Sequence, residues 1–140
     1  MGLEFQPYMF HEETGLEHKP ASCRVCVVEV KGRRNLLPAC ATQISEGMEI
    51  STNNARVIEA RRTVVELLLS NHPNDCLYCA KNGRCGLQSL AQELGIRRNR
   101  FGNELSQKNE VSVTRQMVRN ASKCILCTRC VATCQAVQGI

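Results

Sequence analysis

The sequence predicts an α+β chain assembled from small units in series. Three observations carry that prediction. β-Branched runs separated by turn residues fill the stretch before Thr52, apolar residues at helical spacing follow it, and ten cysteines are bunched within 140 residues. With 43% hydrophobic residues, 4% aromatics and no Trp, any core is thin. Thin-cored units of this size usually need staples, either disulfides or metals.

Residues 25–30, Val-Cys-Val-Val-Glu-Val, are rich in β-branched side chains and predict a strand. Lys31-Gly32-Arg33-Arg34 supplies a turn and Asn35 to Ala39 a returning strand, so the pair reads as a hairpin. Glu46-Gly47 turns the chain again before Met48 to Ser51, whose alternation predicts a third short strand. The N-cap residues Thr52-Asn53-Asn54 open a helix to Asn71, in which Val57, Val64 or Val65, and Leu68 recur at helical spacing and beyond which Pro73 forbids continuation. A shorter helix begins near Gly86, carries Leu87, Leu90, Ala91 and Leu94 on one face, and stops at Gly95. Residues 96–119 are polar and weakly patterned, which predicts a linker or extended wrapping segment. After Cys124 a loop runs into a short helix from Val131.

An even number of cysteines in a short chain raises the possibility of a secreted disulfide scaffold. Two features oppose it. Met1 to Phe10 has neither the basic start nor the apolar run of a signal peptide, so the expected location is cytoplasmic, where thiols stay reduced. The cysteines also fall as Cys23/Cys26, Cys76/Cys79 and Cys124/Cys127/Cys130/Cys134, spacings that converge thiolates on a metal centre. No run approaches the ~20 apolar residues of a membrane span.

The central constellation is the most specific. His72, Cys76, Cys79 and Cys85 form His-x3-Cys-x2-Cys-x5-Cys where a long helix has just ended and the backbone is free to curl. Soft thiolates beside an imidazole suit an iron-sulfur cluster, and zinc fits that local pattern equally well. The second constellation, Cys23, Cys26 and Cys40, spans the predicted hairpin and is similar to the ligand loop of plant-type 2Fe-2S ferredoxins, in which a further cysteine comes first. That cysteine is absent, and His11 is the one good ligand at its distance. The third, Cys124-x2-Cys127-x2-Cys130-x3-Cys134, is the run of bacterial two-cluster ferredoxins, whose fourth cysteine serves the other cluster.

A net charge of +5, with Arg33-Arg34, Arg61-Arg62 and Arg97-Arg98, raises nucleic acid as a partner and a zinc-binding interaction or nucleic-acid module as the alternative function. Two Tyr and three Phe offer almost no stacking surface, and no basic recognition helix is visible. Cluster thiolates are anionic, so some of these cations are expected to offset buried negative charge, while most are solvated surface groups.

Read together, Ala21-Ser22-Cys23-Arg24-Val25-Cys26-Val27-Val28-Glu29-Val30, Leu37-Pro38-Ala39-Cys40-Ala41-Thr42, Asn71 to Cys76, Cys85-Gly86-Leu87-Gln88 and Cys124-Ile125-Leu126-Cys127 resemble one family throughout. It is the N-terminal iron-sulfur region of multi-cluster iron-only hydrogenases, of the large subunit of NAD-linked formate dehydrogenases, and of the 75 kDa-type subunit of respiratory complex I. The resemblance implies a partial β-grasp 2Fe-2S ferredoxin-like unit over 1–53, a helical 4Fe-4S unit with one His and three Cys ligands over 54–95, a linker over 96–119, and a partial bacterial-ferredoxin-like unit over 120–140. It further implies that Cys23, Cys26 and Cys40 serve a 2Fe-2S cluster, that His72, Cys76, Cys79 and Cys85 hold a 4Fe-4S cluster, and that Cys124, Cys127 and Cys130 hold most of another. Cys134 leans toward a hydrogenase or formate dehydrogenase. The resemblance implies no catalytic residue in this chain. It implies single-electron relay between a flavin or NAD(H) partner and a catalytic metal site carried elsewhere in a larger redox enzyme. It also implies missing family sequence ahead of Met1 and beyond Ile140, so the chain is expected to be either a fragment or a short docking subunit.

Overall fold

A computed structural model of the chain describes residues 21–102, 111–116 and 118–139. The chain divides after Arg61 and again after Leu126, so that Arg62–Leu126 form one compact unit and the residues on either side form the other.

In the first unit the hairpin residues build a three-stranded antiparallel sheet. Strand β1 (Val27–Val30) lies between β2 (Leu37–Pro38) and β3 (Ile50–Ser51), with Val28 opposite Leu37 and Glu29 opposite Ser51. Pro38 has no N–H to give a ladder, and its strand sits at the sheet edge where none is needed. β1 starts two residues later than its β-branched run predicts. Arg24 adopts a left-handed φ of 56°, which keeps Val25 and Cys26 in the preceding loop. Val25, Cys26, Val27, Val28 and Val30 are nonetheless all buried, so both faces of the central strand are covered.

Helix α1 (Ala55–Ser70) opens where the N-cap cluster predicts: the Asn54 side chain accepts a hydrogen bond from the Val57 amide at 2.9 Å. Its buried face runs through Val57, Arg61 and Val65, one turn apart each time. The helix ends at Ser70, ahead of Pro73, and the His72 amide closes the end on the Leu69 carbonyl.

In the second unit, helix α2 (Gly86–Glu93) buries Leu87 and is closed by Gly95, whose φ of 65° lets the Ile96 amide reach the Ala91 carbonyl at 2.8 Å. The stretch expected as a linker contains an antiparallel pair, β4 (Val111–Val113) with β5 (Val118–Asn120). A single 3-10 turn follows at Ala121–Lys123, capped by the Asn120 side chain. In the first unit, helix α3 (Arg129–Gln138) starts two residues before the predicted Val131. Among the described residues no helix is long and apolar enough to cross a membrane.

Candidate metal centre

All ten cysteines are free thiols. The structure brings the His-x3-Cys-x2-Cys-x5-Cys set together: His72, Cys76, Cys79 and Cys85 line one small recess of about 40 Å³, with Leu69, Pro73 and Leu87 among its apolar walls. Each donor is placed by a local device. His72 follows the end of α1, a 3-10 turn at Cys76–Tyr78 presents Cys76 and Cys79 from one loop, and Cys85 is the N-cap residue of α2. The intervening loop is held by the Asn82 amide on the Cys79 carbonyl at 2.9 Å and by Gln88, which grips Gly83 and Asn82 at 3.0 Å each.

The imidazole has a backbone partner at one ring nitrogen. His72 Nδ1 lies 3.0 Å from the Pro73 carbonyl oxygen, and a carbonyl only accepts. A neutral imidazole donating from Nδ1 to that carbonyl would keep its lone pair on Nε2, the arrangement that metal-binding histidines adopt when a backbone carbonyl fixes their tautomer. The N-terminus of α2 directly follows Cys85 and adds its partial positive charge beside the anionic thiolates a cluster requires.

Two residues that sequence reasoning did not single out stand at this site. Lys123 Nζ lies 2.9 Å from Asp75 Oδ2. The Lys123 ammonium holds the Asp75 carboxyl below its ordinary range, and Asp75 in turn raises Lys123, with Cys79 adding to the effect. A positional signal existed: each of the pair immediately precedes the first cysteine of a motif, Cys76 or Cys124.

At the hairpin, Cys26 Sγ and Cys40 Sγ approach to 3.3 Å, and the Ala21 amide donates to Cys40 Sγ at 3.1 Å. Ala21 and Arg24 both hold left-handed φ values, 64° and 56°, which cost a non-glycine residue about 1–2 kcal/mol each. Such turns aim backbone amides inward, as anion-binding loops around iron-sulfur centres do. Burial pushes the Cys26 thiol up. Near it lies Arg61, named above in a basic pair but not read there as buried: only 4% exposed, it donates from Nη2 to the Val27 carbonyl at 2.9 Å. Burial pulls this guanidinium down while the Cys26 sulfur pushes it back up. The signal was its place at the fourth residue from both Val57 and Val65. His11 lies outside the described residues.

The third run is less enclosed. Cys127 is half-buried, while Cys124, Cys130 and Cys134 are exposed. Leu126 and Thr128, on either side of Cys127, take left-handed φ values of 54° and 61°. Cys130 and Cys134 lie one turn apart on α3. Among the described residues, no three His, Cys, Asp or Glu side chains converge where a single metal ion would be held. A cluster spreads its ligands over several irons, so its thiolates need no common point.

Known proteins match along most of the chain. The family described as a 2Fe-2S iron-sulfur cluster binding domain covers residues 9–55, and the NADH-ubiquinone oxidoreductase-G iron-sulfur binding region covers residues 61–100. A subunit of an NADP-reducing hydrogenase from Solidesulfovibrio fructosivorans is 51% identical over 94% of this chain. The chain resembles the iron-sulfur electron-transfer module of hydrogenase and NADH-oxidoreductase subunits. The module is also 39% identical, over 85% of its length, to a subunit of an NADH-quinone oxidoreductase from Rhizobium meliloti, and 34% identical, over 100%, to the 75 kDa subunit of an NADH-ubiquinone oxidoreductase from Reclinomonas americana. In structure it matches an NAD+-reducing [NiFe]-hydrogenase with a TM-score of 0.79 and 30% identity, covering 91% of the module and 53% of that chain. The module spans only 22%, 14% and 20% of the three curated relatives' own lengths.

Proposed function

We propose that this module relays single electrons between a flavin or NAD(H) partner and a catalytic metal site in a larger oxidoreductase, a hydrogenase or formate dehydrogenase, without a catalytic site of its own. The observation that carries it is the recess shared by His72, Cys76, Cys79 and Cys85, with His72 Nδ1 at the Pro73 carbonyl. These four residues would hold a 4Fe-4S cluster. Cys23, Cys26 and Cys40 would hold a 2Fe-2S cluster, and Cys124, Cys127 and Cys130 a further 4Fe-4S cluster, with Cys134 serving a neighbouring one. Bound clusters supply reversible one-electron storage at potentials set by ligand type, burial and hydrogen bonding to sulfur.

The residues themselves do three things. The imidazole replaces one anionic thiolate at the second site, which changes the charge there. The Ala21 amide and the buried Arg61 offset negative charge at the first. Leu69, Pro73 and Leu87 screen the second from water. Identity to the hydrogenase subunit and the match to two iron-sulfur binding regions support this assignment over a zinc module.

The test is anaerobic reconstitution of the full chain with ferrous iron and sulfide, followed by iron and sulfide counting and electron paramagnetic resonance. Brown protein with both 2Fe-2S and 4Fe-4S signals supports the proposal. Colourless protein that takes up zinc and no iron overturns it. Replacing His72→Cys should keep a cluster and move its midpoint potential; an unmoved potential would remove His72 from the ligand set.

A further inference from the structure

Asp75 and Lys123 are 48 residues apart in sequence yet form an ion pair of 2.9 Å at the edge of the second site. The lysine side chain is 30% exposed, so the pair is partly withdrawn from water and its charge only partly screened. Asp75 Oδ1 is buried with no hydrogen-bond partner among the described residues. One carboxylate oxygen is thus ion-paired and the other has no hydrogen-bond partner, one residue from Cys76. Cys79, one of the four candidate ligands lining the recess, is also within interacting reach of the Lys123 ammonium.

We propose that Lys123 and Asp75 are an opposed pair of charges that sets the potential of the cluster held by His72, Cys76, Cys79 and Cys85, the lysine raising it and the aspartate lowering it. This rests on the cluster assignment above. Reduction adds one electron and no atom to the cluster, so a fixed cation beside a ligand sulfur favours the reduced form and a fixed anion opposes it. Lys123 also immediately precedes Cys124, so the backbone that carries the cation leads directly into the next cysteine run. Lys123 is a positioning residue, since it acts on the cluster through Cys79 and Asp75 and ligates nothing.

The experiment is a redox titration, followed by electron paramagnetic resonance, of the full chain reconstituted anaerobically with ferrous iron and sulfide. Lys123→Met should shift the midpoint potential of the histidine-ligated cluster downward, Asp75→Asn should shift it upward, and Lys123→Arg should restore most of the wild-type value. Both Lys123→Met and Asp75→Asn break the same ion pair, so a purely structural role would move the two potentials the same way or not at all. Either result overturns the inference. Wild-type protein that assembles no cluster overturns the cluster assignment itself, whereas assembled clusters without opposed shifts leave that assignment standing. Should Lys123→Met fail to fold, the upward shift in Asp75→Asn still decides the sign.

Discussion

Arg61 Nη2 donates to the carbonyl of Val27 across 2.9 Å, from a helix face whose neighbouring turns present Val57 and Val65. A charged group occupies the place of an apolar one, near the loop that carries Cys26. Replacing Arg61→Ala removes a charged hydrogen bond and leaves the Val27 carbonyl without that donor. The expected cost is about 2 kcal/mol, read as a lower Tm of the cluster-loaded protein. A Tm unchanged from wild type would mean that the contact contributes nothing.

Iron removal should dismantle the second unit before the first. Among the described residues, those of Arg62–Leu126 that are buried and hydrophobic are Val65 and Leu87, whereas the first unit buries Val25, Cys26, Val27, Val28, Val30 and Val57. A unit with so little apolar core depends on its metal for folding energy. Hydrogen exchange after chelation should rise first at residues 72–90, while the β1 amides stay protected. Simultaneous loss of protection in both would contradict this.

Arg100 anchors a buried acid in the second unit. Its Nε lies 2.6 Å from Glu66 Oε2, and the Glu66 side chain is 3% exposed. Arg100→Ala leaves that carboxylate without its cation, which should destabilise the unit by about 2–3 kcal/mol, the range for breaking a pair with one exposed partner. Double replacement with Glu66→Gln should recover part of the loss in thermal unfolding.

Glu29 ties β1 to the start of α1. Arg56 bonds it at 2.5 Å and Asn54 reaches its other oxygen, and together they hold the carboxyl below its ordinary value near 4.5. A depressed carboxyl binds its proton less readily in the folded state, so the stability it supplies is complete above that ordinary value. It disappears as pH falls through the folded value. The Tm difference between wild type and Glu29→Gln should therefore be constant at neutral pH and shrink below about pH 4.5, with acid loss of clusters common to both cancelling out. A difference that grows on acidification would reverse the sign.

Much of the scaffold is written in local chemistry. The Asn54 cap, Pro73 and Gly95 bound their helices because capping and the loss of an amide act over three or four residues. That residues 72, 76, 79 and 85 come together in one recess was equally legible, since all four lie within fourteen positions. The β4–β5 pair was not, because its strands are three residues long and Val113 and Val118 stay 68% and 69% exposed. Too short to alternate visibly, they pair only through each other. Arg61 and Lys123 escaped for a related reason. Burial of one and pairing of the other arise from residues 34 and 48 positions away, which no local pattern encodes.

The 3.3 Å gap between Cys26 Sγ and Cys40 Sγ also dictates an order of events for a newly made chain. Two thiols that close can be joined by any two-electron oxidant, with loss of both protons. Air reaching the polypeptide ahead of iron would weld them shut and close the hairpin to its cargo. On the proposed ligand set, metal would have to reach this hairpin before oxygen does.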